Sequence, residues 1–159
     1  MAAKINDPSR SGSSRPTTSM NPGQLYESFR QIIAGQKKNK LWKLFSSHVQ
    51  GVLGYELRIP TPMDFSTIQK CIDNMSYKRP EEFAQDVRRI FGNCIRFNSG
   101  MSERTLREDT RKMLYKFEQD WEHYFPGIAP VGSSYAVYFS IVSSDYRRNY
   151  LNLRNVCLH

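Results

Sequence analysis

Apolar residues recur at three- and four-residue intervals in four separate runs between Asn21 and Trp121, and that period commits the chain to helices. The first run, Leu25, Phe29, Ile32 and Ile33, follows Asn21-Pro22, which reads as an N-cap with proline at the first helical position. It predicts a helix over about 22–37. The second run is Phe65, Ile68, Cys71, Ile72 and Met75. Ahead of it Pro62 forces Thr61 to be extended, Asp64 supplies the N-cap, and Met63 can staple across to Ile68. The third opens at Pro80 with Glu81 and Glu82 set favourably against the helix dipole, and carries Phe83, Val87, Ile90, Phe91 and Cys94 to Asn98. The fourth starts after Ser102 as cap and runs through Leu106, Met113, Leu114, Phe117 and Trp121. A connection of roughly 38–63 separates the first two, and a loop of that length inside a compact domain is usually functional. Four amphipathic helices with one long crossover predict an all-α four-helix bundle.

The rest of the chain adds tails to that bundle. Residues 1–20, rich in Ser, Thr, Pro and Gly, have little to bury and are expected to be a disordered tail. Residues 21–126 form the expected domain, and 127–159 an extension without assigned structure. In the extension Pro130, Gly132, Ser133 and Ser134 read as a linker, and "YAVYFSIV" has strand propensity. No run of about 18 apolar residues exists, so no membrane span is expected, and "MAAKINDPSRSGSS" lacks the apolar stretch of a secretory signal. Cys71, Cys94 and Cys157 are an odd number without metal-ligand spacing, which fits reduced thiols in the cytosol or nucleus. The net charge of +8 is spread along the chain, and its densest basic stretch is "KKNK" at 37–40. A mildly basic surface is compatible with weak nucleic-acid contact without establishing it.

Asn98 poses the sharpest question. Back along its helical face lie Cys94, Phe91, Val87 and Phe83, all apolar, so an ideal helix turns this amide toward the core at its end. An unpaired buried polar group costs about 1–3 kcal/mol, so a neighbour or a ligand must satisfy it. One bland solution is a helix C-cap, a common role for asparagine. An enzyme finds little support: His48, His123 and His159 are dispersed, and no catalytic triad, phosphate loop or zinc pattern is present. No metal or cofactor is expected.

"PMDFSTIQKCI" at 62–72, Tyr77, Phe83, Asp86 and "IFGNCIRFN" at 90–98 together resemble a bromodomain, and "LFSSHV" at 44–49 resembles that family's aromatic shelf. The resemblance covers about 24–125, some two-thirds of the chain. It implies a left-handed four-helix bundle whose long first connection and last connection rim a pocket for acetylated lysine, without catalysis. By position, Asn98 matches the asparagine that donates to the acetyl carbonyl, and Tyr55 the tyrosine that reaches it through a water. Phe45 and Val49 match the shelf phenylalanine and the wall valine, Val52 and Leu53 continue that wall, and Phe97 stands where the family often has tyrosine. The shelf departs from the usual Trp-Pro-Phe, because Lys43 and Leu44 precede Phe45 and Trp42 lies one position early. The stretch "SGMSERTLRED" after Asn98 is longer than the common form, which makes Leu106 the residue beside the ligand; without an insertion it is Arg104. Leu106 is preferred because it fits the apolar face.

The chemistry agrees with that implication. Acetylation leaves a neutral amide on an apolar stem, which an apolar pocket accepts if one fixed donor meets its carbonyl. A charged ammonium would pay several kcal/mol in desolvation at about the same place. The resemblance therefore implies nuclear residence, acetylated histone tails or other acetylated proteins as partners, and a larger chromatin complex to supply effector activity. The rival reading is a helical nucleic-acid-binding or protein-interaction bundle without acetyl-lysine specificity. Its weakness is that acidic residues are interleaved with the basic ones and no helix-turn-helix or finger pattern is present.

Overall fold

Asn21 caps the first helix as its side chain predicts, accepting from the Gln24 N–H at 2.9 Å, and α1 runs over Pro22–Lys37. The computed structural model describes residues 20–128. The tail expected over 1–20, Met20 apart, and the extension beyond Ile128 with its strand-prone segment lie outside them. Met20, counted with the tail in the sequence, packs partly buried against the core.

Every regular element among the described residues is a helix, and four longer helices make the expected bundle: α1, α4 (Phe65–Asp73), α5 (Pro80–Phe97) and α6 (Arg104–Tyr124). Two short helices, α2 (Trp42–Phe45) and α3 (Tyr55–Arg58), lie inside the long connection, where four-residue turns are too brief for periodicity to reveal. The Asp64 carboxylate caps α4, accepting from the Thr67 N–H at 2.9 Å and the Thr67 hydroxyl at 3.0 Å, with the Ser66 hydroxyl as a further donor. Burial pushes this carboxyl up, but the hydrogen bonds from Ser66 and Thr67 outweigh burial and hold it below the ordinary carboxylate value.

Two helix ends differ from expectation. Met75 does not extend the buried face of α4: it takes a positive φ of 52° just past the helix and is exposed. Its N–H bonds the Ile72 carbonyl at 3.1 Å and the Ser76 N–H bonds the Cys71 carbonyl at 2.8 Å, the paired bonds of a Schellman ending. At α6 the N-cap is Glu103 rather than Ser102, whose hydroxyl instead donates to the Glu103 carboxylate.

The core is aromatic. Phe83 of α5 has no exposed surface, stacks on Phe29 of α1 at 4.2 Å between centroids, and meets Tyr77 edge-on at 5.8 Å. Trp121 of α6 completes this cluster, 6.5 Å from Phe83 and 4.5 Å from Phe125. Fully burying one such ring stabilises the fold by about 1.5–3 kcal/mol, which is why helices without strong caps still hold. Across the α5–α6 interface Arg88 and Glu118 form a buried two-pronged ion pair at 2.8 and 2.9 Å. The same guanidinium lies 5.6 Å from the Phe117 and Trp121 rings, so its charge is met on several sides. No helix among the described residues is long and apolar enough to cross a membrane.

Candidate functional site

The connection between α1 and α4 is pinned to the bundle at several points, and the pins decide which of its side chains turn inward. Trp42 of α2 stacks on Phe65 at 4.4 Å, and the Ser66 N–H donates to the Ser46 carbonyl at 3.1 Å. Further along, Asn93 of α5 donates its amide to the Thr61 carbonyl at 2.9 Å. Ile59 is wholly buried. Between these pins the chain arches over the end of the bundle.

Beneath the arch is a cavity of about 170 Å³. The connection contributes Leu44, Phe45, Ser47, Val49, Val52 and Tyr55, with Met63 just before α4. The bundle contributes Ile90, Cys94 and Phe97 from α5, Asn98 at its end, and Leu106 from α6. Phe45 meets Phe91 edge-on at 5.4 Å, and Tyr55 meets Phe97 at 5.1 Å, so each loop aromatic is braced by one on α5.

The structure brings together Asn98, Tyr55, Phe45, Val49, Val52, Phe97 and Leu106, seven of the eight residues the resemblance singled out. Leu53 is not among them and is 98% exposed. The Tyr55 N–H bonds the Val52 carbonyl at 3.2 Å, closing a turn whose tip is Leu53 and Gly54. Gly54, at φ 76° and ψ 2°, fills the turn position that favours glycine, and Leu53 beside it is turned to solvent. Between the two alternatives at the start of α6, Leu106 faces the cavity. Arg104 lies outside it and pairs with Glu108 at 2.8 Å.

Sequence reasoning missed Leu44, Ser47, Met63, Ile90 and Cys94 as lining residues. A signal existed for one of them: Cys94 lies one helical repeat behind Asn98 on its face. In the sequence Met63 reads as a staple and Leu44 as an interruption of the shelf. Leu44 lines the cavity while Trp42, the nearby aromatic, is committed to Phe65.

Besides Ser47, three polar groups face this apolar space. Asn98 is the C-cap of α5, and its side-chain amide donates to the Cys94 carbonyl at 2.8 Å. An amide nitrogen carries two hydrogens, and among the described residues nothing stronger than the Cys94 sulfur, at 3.5 Å, opposes the second. Burial pushes the Tyr55 hydroxyl up, with smaller contributions from Cys94 and Asp64, so it stays protonated and able to donate. Burial also pushes the Cys94 thiol up, against the hydrogen bonds of Thr110 and Asn98, leaving a neutral sulfur in the wall. This arrangement can hold a neutral group with one carbonyl and exclude a charged one. No cluster of three or more His, Cys, Asp or Glu among the described residues can hold a metal ion.

Residues 29–107 match the family model for the bromodomain, a span that includes all of the cavity lining. The chain belongs to the bromodomain family. Bromodomains are binding modules, found generally as acetyl-lysine readers in chromatin proteins. This bromodomain is 40% identical over 74 residues to the mouse "Bromodomain adjacent to zinc finger domain protein 2B", a match covering 46% of the chain and 3% of that protein. It is 38% identical over 76 residues to the human "Bromodomain adjacent to zinc finger domain protein 2A", covering 48% of the chain and 4% of the relative. Over 84 residues it is 34% identical to the human "E3 ubiquitin-protein ligase TRIM33", covering 51% and 7%. The matched segment is therefore a small part of each relative.

Proposed function

We propose that the cavity beneath the arch binds acetylated lysine, with Asn98 as direct donor to the acetyl carbonyl and Tyr55 as the donor that reaches it through water. Phe45, Val49, Val52, Phe97 and Leu106 form the apolar wall around the side-chain stem. The observation that carries the reading is Asn98. Its amide is fixed by the Cys94 carbonyl at the edge of an apolar cavity and keeps a hydrogen to give. The bromodomain match gives this donor its partner chemistry. Leu53 has no place in the proposed pocket.

The proposed partners are acetylated histone tails or other acetylated chromatin proteins in the nucleus, with the chain acting within a larger chromatin complex. One acetamide offers few heavy atoms, so affinity is expected in the micromolar to near-millimolar range, about −8 to −4 kcal/mol. Calorimetric titration with paired acetylated and unmodified histone-tail peptides tests the proposal. Binding that depends on the acetyl group supports it; equal affinity for both forms contradicts it.

A further inference from the structure

Resting on that reading of the cavity, we infer that Arg58 is a specificity-determining residue that favours a carboxylate side chain close to the acetylated lysine. Arg58 ends α3, three residues after Tyr55, and its exposed guanidinium is held beside the cavity by two independent contacts. It donates to the Ser99 hydroxyl at 3.1 Å, directly next to Asn98, and lies 5.1 Å from the centroid of the cavity-lining Phe97 ring. Neither contact neutralises its charge: a hydroxyl and a ring face leave the planar fork with N–H groups to spare.

The charges around it do not cancel this field. Glu56, on the same short helix, is exposed and forms no ion pair with Arg58 within 4 Å. Arg107 of α6 donates to the Asn98 and Gly100 carbonyls, adding a second positive charge with no carboxylate among the described residues on it at ion-pair distance. Arg104 is paired with Glu108, and the Glu103 carboxylate is drawn to Ser102. The Asn98–Gly100 segment thus lies between two arginines whose hydrogen bonds go to neutral oxygens. The Glu103 carboxylate lies against Gly100, so two guanidinium charges face one carboxylate there, and a peptide threading its acetyl-lysine past the Arg58 side meets a net positive charge. Acidic neighbours gain from it, and a run of unmodified lysines and arginines is penalised.

Because Arg58 is exposed, the preference should be moderate and should weaken with salt. The test uses one acetyl-lysine peptide in which the residues flanking the modified lysine are varied in turn to Glu, Gln or Lys, titrated at low and high salt. The full chain is expected to bind the Glu series about two- to five-fold more tightly than the Gln series, and the Lys series more weakly than both. High salt should compress that ranking, Arg58→Gln should flatten it, and Arg58→Lys should retain it in part. Ratios between peptides are read, so a uniform loss of affinity in the variant does not obscure the result. Acetyl-dependent binding that ignores flanking charge, or a ranking that survives Arg58→Gln, overturns the inference and leaves the pocket assignment standing. Binding indifferent to acetylation overturns both.

Discussion

The Arg107 guanidinium, reaching back from α6, donates to the Asn98 backbone carbonyl at 2.7 Å and also to that of Gly100. It therefore fastens the loop after α5 at the residue whose side chain faces the cavity. The carbonyls at a helix end lack intrahelical donors, and here a charged side chain from the next helix supplies one.

From this contact follows a separation between binding and stability. Arg107→Ala should loosen the Asn98–Gly100 segment and weaken acetyl-peptide binding by about 1 kcal/mol, the net worth of a typical hydrogen bond. The melting temperature should move little, because the loop is outside the aromatic core. Paired calorimetry and thermal unfolding check this; unchanged affinity would mean that Asn98 keeps its geometry without the arginine.

The Arg88–Glu118 pair should behave in the opposite way. Removing one partner leaves a charge buried, so Arg88→Ala should cost about 3–5 kcal/mol of stability. Replacing both by apolar residues, Arg88→Met with Glu118→Leu, should cost less than either single truncation. Denaturant unfolding of the three variants tests this, and a double variant as unstable as the sum of the singles would refute it.

Acid stability should depend on Asp64. Its folded pKa lies below its unfolded value because Ser66 and Thr67 bond the ionised form. Its contribution is therefore present above the unfolded value, near 3.9, and is lost as pH falls from there through the folded value. Burial raises Asp86 against the hydrogen bonds of Tyr77 and Arg89, so its contribution has the reverse sign and fades as pH rises through the carboxylate range. Asp64→Asn should flatten the loss of stability on the acid side. An unchanged acid limb in the pH–stability curve would assign that loss to other groups.

The bundle should not need residues beyond Ile128. Trp121 donates its indole N–H to the Ile128 carbonyl at 3.0 Å, and Ile128 packs against the core, so the boundary expected at residue 126 cuts through a contact. A 20–128 fragment should melt with the full chain, while 20–126 should lose about 0.5–1.5 kcal/mol for the missing bond. An unfolded 20–128 fragment would place part of 129–159 in the core.

The sequence made the long helices legible because caps and period agree: Asn21-Pro22, Asp64 and Pro80 each open a helix where its apolar face begins. It concealed what depends on tertiary pinning. Trp42 reads as a displaced shelf residue until its stacking on Phe65 is seen, and Leu53 reads as wall until Gly54 turns it outward. Met75 looks like the next apolar position of α4, yet the preceding turn has already closed with Met75 in the left-handed region. At the cavity, Asn98 stands out in the sequence as a polar residue on an apolar face. Its position could not show that the same amide both caps α5 and faces the cavity. Cap and proposed ligand donor, opposed as alternatives in the sequence, would use different hydrogens of one nitrogen.

That dual use makes Asn98→Ala the most direct test of the proposed pocket, read by calorimetry with an acetylated peptide and by thermal unfolding of the same samples. The account predicts that binding falls by about 1–3 kcal/mol, as the acetyl carbonyl loses its direct donor. Stability should fall by less, since water can reach the Cys94 carbonyl at a half-buried helix end. A variant that binds the acetylated peptide normally but melts much earlier would contradict the account, leaving Asn98 a helix cap and nothing more.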